Sequence, residues 1–118
     1  MFNKKQLGVW GEKLAADYLK NKGYKIIDKN FQTREGEIDI ICEKENSIIF
    51  VEVKLRTNKI FGYPEESVTA KKIDRLIATA QTYLRKNNLD CDWQIDVISI
   101  LYQKNCLNIN HLYDITKI

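Results

Sequence analysis

The stretch that decides the fold is Gly36–Arg56, GEIDIICEKENSIIFVEVKLR. Two runs rich in Ile, Val and Phe, Glu37–Glu43 and Ile48–Arg56, flank Lys44–Ser47, which reads as a hairpin turn, so both runs are predicted to be paired strands. Side chains alternate across a strand. Glu37, Asp39, Ile41 and Glu43 are therefore expected on one face of the first run, and Ile38, Ile40 and Cys42 on the other. In the second run Ile48, Phe50, Glu52 and Lys54 point one way, and Ile49, Val51, Val53 and Leu55 the other. One face of the hairpin is wholly apolar and the opposite face half charged.

Working outward, Tyr24–Phe31 reads as a further strand of the same meander. Before it, from about Lys4 to Lys22, Leu7, Trp10, Leu14, Tyr18 and Leu19 recur at helical spacing, with Gly23 as a C-terminal stop. Beside that stripe runs a row of small residues, Gly8, Gly11, Ala15 and Ala16, which would let another element approach closely. After the hairpin, Thr57–Ser67, with Gly62 and Pro64, reads as a loop. A second helix is predicted from about Thr69 to Asn87, with Ile73, Leu76, Ile77, Ala80, Tyr83 and Leu84 as its core stripe and Lys71, Lys72, Arg75, Arg85 and Lys86 on its polar side. Trp93–Tyr102 and Leu107–Ile115 are the last strand candidates. The order is that of a mixed α/β protein with helices flanking one central sheet.

The 118 residues, 44% of them apolar, suffice for one core, so residues 1–118 are expected to form a single domain. Nineteen Lys and Arg against sixteen Asp and Glu leave a net charge of +3, too mild to establish a nucleic-acid partner. The longest apolar runs, such as Ile48–Val51, fall far below the roughly 18–20 residues that span a bilayer, which excludes an integral helical membrane protein. No signal-like apolar stretch precedes Glu12 and Lys13, so a cytoplasmic location is expected. Cys42, Cys91 and Cys106 form no CxxC pair, which argues against a zinc site and a disulfide framework and for reduced, semi-buried thiols.

The chemistry-bearing feature is Asp39 followed, after twelve intervening residues, by Glu52, Val53 and Lys54. On adjacent strands the two carboxylates and the ammonium would share one patch. Such a patch is either a solvated cross-strand ion-pair cluster or a site for Mg²⁺ or Mn²⁺, hard cations that bind through one or two carboxylates plus substrate phosphate. The apolar character of Ile48–Leu55 bears on the choice, because charges within a central strand are costly unless paired or bound to metal.

Embedded as GEIDII and FVEVKLR, Asp39 and Glu52-x-Lys54 resemble the catalytic signature of the PD-(D/E)xK nucleases. More closely, GVWGEKLAADYLKNKGYKII, NFQTREGEIDII, IIFVEVKLR, FGYPEESVTAKK, AQTYL and IDVISI, in this order over roughly Gly8–Ile100, resemble the YraN family of small bacterial proteins, regarded as endonucleases related to archaeal Holliday-junction resolvases. The resemblance implies a restriction-endonuclease-like α/β fold, a mixed central β-sheet flanked by helices. It also implies a Mg²⁺- or Mn²⁺-dependent endonuclease cutting branched or single-stranded DNA in repair or recombination. Asp39 and Glu52 would bind the metal, Lys54 would act on the attacking water, and Glu12 would join the same metal site; read from the residues alone, Glu12 is either presented by a closely packed helix or solvent-exposed. Glu37 is a weaker candidate on the Asp39 face. Two departures stand out: Ile38 replaces the proline of the superfamily name, and Gln94-Ile95-Asp96 stands where relatives read Arg-Phe-Asp, removing any role of that arginine.

Arg34, Arg56, Lys71, Lys72 and Arg75 flank the motif along the chain and could bind DNA phosphates without reading bases; the alternative is a solvated basic surface. Phe61–Pro64 is either a substrate flap or a connection, Trp10 and Tyr83 read as core, and His111 as structural or exposed. Junction-cutting relatives act as homodimers, so the resemblance implies a homodimer. The competing readings are a nucleic-acid-binding module that cuts only with a DNA-processing partner protein, and a structural adaptor indifferent to Lys54.

Overall fold

A computed structural model of the chain describes residues 3–57 and 68–116. Its elements are α1 (Lys4–Asn21), β1 (Lys25–Gln32), β2 (Glu37–Lys44), β3 (Ser47–Arg56), α2 (Ala70–Lys86), β4 (Trp93–Gln103) and β5 (Cys106–Leu112). The strands form one five-stranded sheet in the order β1-β2-β3-β4-β5. β3 and β4 run parallel, as the crossover through α2 requires, and the other neighbours are antiparallel. This is the mixed, restriction-endonuclease-like α/β arrangement expected from the sequence. The Phe61–Pro64 segment lies outside the described residues.

Each helix covers one face of the sheet. Ala15, Ala16 and Leu19 of α1 pack with Ile40, Cys42, Ile49, Val51, Ile98 and Ile100. Leu76, Ala80, Tyr83 and Leu84 of α2 pack on the other face with Ile41, Ile48, Phe50 and Ile95. Tyr83 stands edge-on to both Phe31 and Phe50, at centroid distances of 5.1 and 5.8 Å, which makes it core. Trp10 is only half-buried, edge-on to Tyr102 at 5.2 Å.

α1 begins at a capping box: the Asn3 side chain accepts from the Gln6 backbone N–H at 2.8 Å, and the Gln6 side chain accepts from the Asn3 N–H at 2.9 Å. Its buried residues are Gly11, Ala15, Ala16 and Leu19, so three of the four small residues are laid on the sheet, whereas Gly8 is exposed with nothing within 4 Å of where a Cβ would stand. A Cβ at Gly11 would stand 3.2 Å from Leu55 Cβ, and this close approach brings the following residue, Glu12, toward the hairpin. Gly11→Val is expected to cost about 1–3 kcal/mol through overpacking against Leu55. A urea midpoint equal to that of the wild type would contradict this packing.

The β2–β3 and β4–β5 turns each place two residues at positive φ, Glu45 and Asn46 at 52° and 67°, Lys104 and Asn105 at 51° and 59°, the type I′ pattern that matches strand twist. Three expectations need correction. Ile38 does not share a face with Ile40: it packs with the α2 cluster, whereas Ile40 packs with the α1 cluster. The cause is the opening of the β2–β3 ladder described below. The last strand ends at Leu112 rather than Ile115, because the Asp114 N–H turns to the Asp96 carboxylate and the Ile115 N–H to the Ile95 carbonyl. Finally, the three thiols are free but not alike: Cys42 is buried, Cys91 intermediate and Cys106 exposed on the edge strand.

Candidate active site

The β2–β3 ladder starts at the Lys44–Ser47 turn and its last pair is Ile40–Val51. Hydrogen-bonded pairs alternate in an antiparallel ladder, so the Val53 N–H would next meet the Ile38 carbonyl. It is instead taken by the side chain: Asp39 Oδ2 accepts from the Val53 N–H at 2.7 Å. The carboxylate thus replaces a main-chain acceptor at the point where β2 leaves β3, which satisfies the β3 backbone and opens a cleft.

The cleft holds about 320 Å³ and is walled by Gly36, Glu37 and Asp39 on one side, Glu52, Val53 and Lys54 on β3, and Lys72, Arg75 and Leu76 on α2. Lys54 Nζ lies 3.9 Å from Glu52 Oε2, and their side chains are 17% and 14% exposed. Both side chains are thus half-buried. Burial, followed by a hydrogen bond to Glu52 and the repulsion of its charge, pushes the Asp39 carboxyl up to about 8 against the opposing Val53 N–H and Lys54 ammonium. The two carboxyl groups therefore compete for a proton.

A second cleft, of about 700 Å³, lies on the α1 side and shares Asp39, Val53 and Lys54 with the first; Gly11, Glu12 and Arg56 also line it. Glu12 is half-buried. Burial and then the Asp39 charge raise its carboxyl, Glu37 adds to this, and an Asn30 hydrogen bond and Lys29 oppose it. The solvent-exposed alternative for Glu12 is therefore set aside. Among the described residues no three His, Cys, Asp or Glu side chains gather as a ready-made metal cage, and Glu12 lines this second cleft together with Asp39. Asp39 and Glu52 fit Mg²⁺ or Mn²⁺: two hard oxygen donors whose charges repel each other form an arrangement that a divalent cation relieves.

The sequence profile of the uncharacterised protein family UPF0102, the YraN family, matches residues 11–100. The chain belongs to this family. It is similar to the UPF0102 protein of Syntrophomonas wolfei, 49% identical over 109 residues, covering 92% of this chain and 95% of that one. The UPF0102 protein of Clostridioides difficile is 49% identical over 112 residues, covering 93% and 96%, and that of Persephonella marina 42% over 109 residues, covering 92% and 93%.

In this UPF0102 chain the basic candidates divide by helical phase and position. Lys72 and Arg75 line the Asp39–Glu52 cleft, Arg56 lines the α1-side cleft, and Arg34 and Lys71 are exposed and line neither. Lys72 stands in the first turn of α2, where the Thr69 side chain caps its N–H at 3.3 Å. Contact with the Lys54 ammonium, then burial, lowers the Lys72 ammonium below its usual range, with Glu52 opposing. Three basic side chains, Lys54, Lys72 and Arg75, and three acidic ones, Glu37, Asp39 and Glu52, thus line one cleft beside the start of α2.

A buried polar chain on the α1 face was not anticipated. Asp96, fully buried, accepts from His111 Nε2 at 2.7 Å, Gln94 Nε2 at 2.9 Å and the Asp114 N–H at 2.8 Å. With Nε2 donating, His111 Nδ1 is left to accept from the Tyr18 hydroxyl at 3.0 Å, and Tyr113 stacks on the ring at 3.8 Å. His111 is therefore structural, tying β5 and the segment after it to β4 and α1. Gln94 supplies a donor to Asp96.

Proposed function

We propose that this protein is a Mg²⁺- or Mn²⁺-dependent endonuclease that hydrolyses DNA phosphodiester bonds, acting on branched or single-stranded DNA. The observation that carries the reading is the Asp39 carboxylate, released from the strand ladder and set against Glu52 and Lys54 in a cleft rimmed by Lys72 and Arg75. Asp39 and Glu52 would hold the cation, with Glu12 of α1 joining the same metal site. When bound, the ion polarises a phosphoryl oxygen and lowers the pKa of a coordinated water.

The chain's own groups do the rest. The Val53 N–H fixes the Asp39 carboxylate, so the metal-binding oxygen does not depend on a free rotamer. Lys54, held beside Glu52, orients the attacking water and offsets charge that develops on the phosphate. Lys72 and Arg75 meet phosphates entering the same cleft, and Arg56 those on the α1 side; such contacts position the strand without reading its bases.

The test is cleavage of labelled single-stranded, duplex, flap and four-way-junction DNA with Mg²⁺ or Mn²⁺. Asp39→Ala and Lys54→Ala are each expected to lower the rate by about 10²-fold or more. DNA binding without cutting would shift the assignment to a module completed by a partner protein. Neither binding nor cutting would sink the nuclease reading and leave the fold intact.

A further inference from the structure

The two edges of the sheet are built differently. β1 carries a register shift between Ile26 and Asp28 and the charges Lys25, Asp28 and Lys29, devices that keep an edge from pairing with another chain. β5, CLNINHL, carries no Lys, Arg, Asp or Glu and is paired in unbroken register with β4. It is the last strand of the sheet, and Leu107 is 41% exposed.

The turn fixes which main-chain groups face outward. A two-residue type I′ turn makes its flanking pair, Gln103–Cys106, hydrogen-bonded, and alternation then directs Asn108 and Asn110 toward β4. The N–H and C=O groups of Leu107, Ile109 and His111 point away from the sheet.

We infer that β5 is the self-association edge of this protein, pairing antiparallel with β5 of a second copy about a two-fold axis at Ile109. In that register Ile109 meets Ile109, and Leu107 lies opposite His111. A two-fold pairing sets a strand against its own reverse, so a strand free of formal charge meets no like-charge repulsion. The bulged and charged β1 offers no comparable register. This inference stands on the edge alone and does not depend on the nuclease reading.

The test is sedimentation equilibrium of the wild type and Leu107→Pro, with a cross-linking variant. Proline at 107 removes only an outward N–H, so it leaves the β4–β5 ladder in place while blocking a new one. Ile109→Cys in a Cys106→Ser background places two thiols across the axis at a Cα separation of about 5.5 Å, within disulfide range. The expected results are a wild-type monomer–dimer equilibrium, its loss in Leu107→Pro with an unchanged circular dichroism spectrum, and an oxidised dimer whose disulfide maps to position 109 of both copies. A wild type that stays monomeric at its highest soluble concentration overturns the inference. So does a dimer that survives Leu107→Pro, or one in which no disulfide forms at position 109, since either places the contact on another surface.

Discussion

Asp39→Asn is expected to stabilise the metal-free protein at pH 8 and to leave its stability nearly unchanged at pH 4. The folded state holds the Asp39 proton up to about 8, whereas an unperturbed aspartate releases it near 3.8. Between those values the native state binds more protons than the unfolded state, so stability falls as pH rises. The contribution is complete below the unfolded value and gone above the folded one. At about 1.36 kcal/mol per pH unit the loss has an upper bound on the order of 6 kcal/mol. Asparagine mimics the protonated acid: its oxygen accepts from the Val53 N–H and its amide donates to Glu52. Thermal midpoints measured from pH 4 to pH 8.5 in chelator should fall for the wild type and stay level for Asp39→Asn. Parallel profiles would show that the two carboxylates do not compete for a proton.

Asp96→Ala is expected to destabilise the fold by about 3–5 kcal/mol, a large share of the roughly 5–15 kcal/mol that holds a domain together. The substitution leaves three donors, His111 Nε2, Gln94 Nε2 and the Asp114 N–H, without their buried acceptor. Asp96→Asn should cost less, because one acceptor oxygen survives. Asp96→Ala and His111→Ala should be strongly non-additive in a double-mutant cycle read by urea denaturation, since each breaks the same contact. Additive losses, or an Asp96→Ala midpoint matching the wild type, would mean that the chain of hydrogen bonds does not act as a unit.

The architecture was legible where local pattern and tertiary packing agree. Alternation along Ile48–Leu55 placed Ile49, Val51, Val53 and Leu55 on the α1 face, and Gly11, Ala15 and Ala16 announced the close approach of α1. The face of Ile38 was not legible. Strand alternation assumes an unbroken ladder, and here a side chain displaces a carbonyl from it. Asp39, Glu52 and Lys54 were found by spacing, but their meeting depends on that same break rather than on regular cross-strand pairing. The choice of Lys72 and Arg75 over the adjacent Lys71 followed only from the phase of α2 against the cleft. The Asp96–His111–Tyr18 chain left no local signal. Its members are separated by 15 and 93 positions, and a single aspartate in an apolar strand does not disclose its partner.

Calorimetric titration of Mn²⁺ into the wild type and Asp39→Asn at pH 7, repeated in buffers of different ionisation enthalpy, tests the central claim most directly. Asp39 keeps its proton up to about 8, so a cation held between Asp39 and Glu52 must expel it. The account predicts one site per chain in the wild type, binding coupled to release of about one proton, and loss of that site in Asp39→Asn. Binding that releases no proton, or that persists unchanged in Asp39→Asn, would place the cation elsewhere and contradict the assignment of this cleft as the catalytic centre.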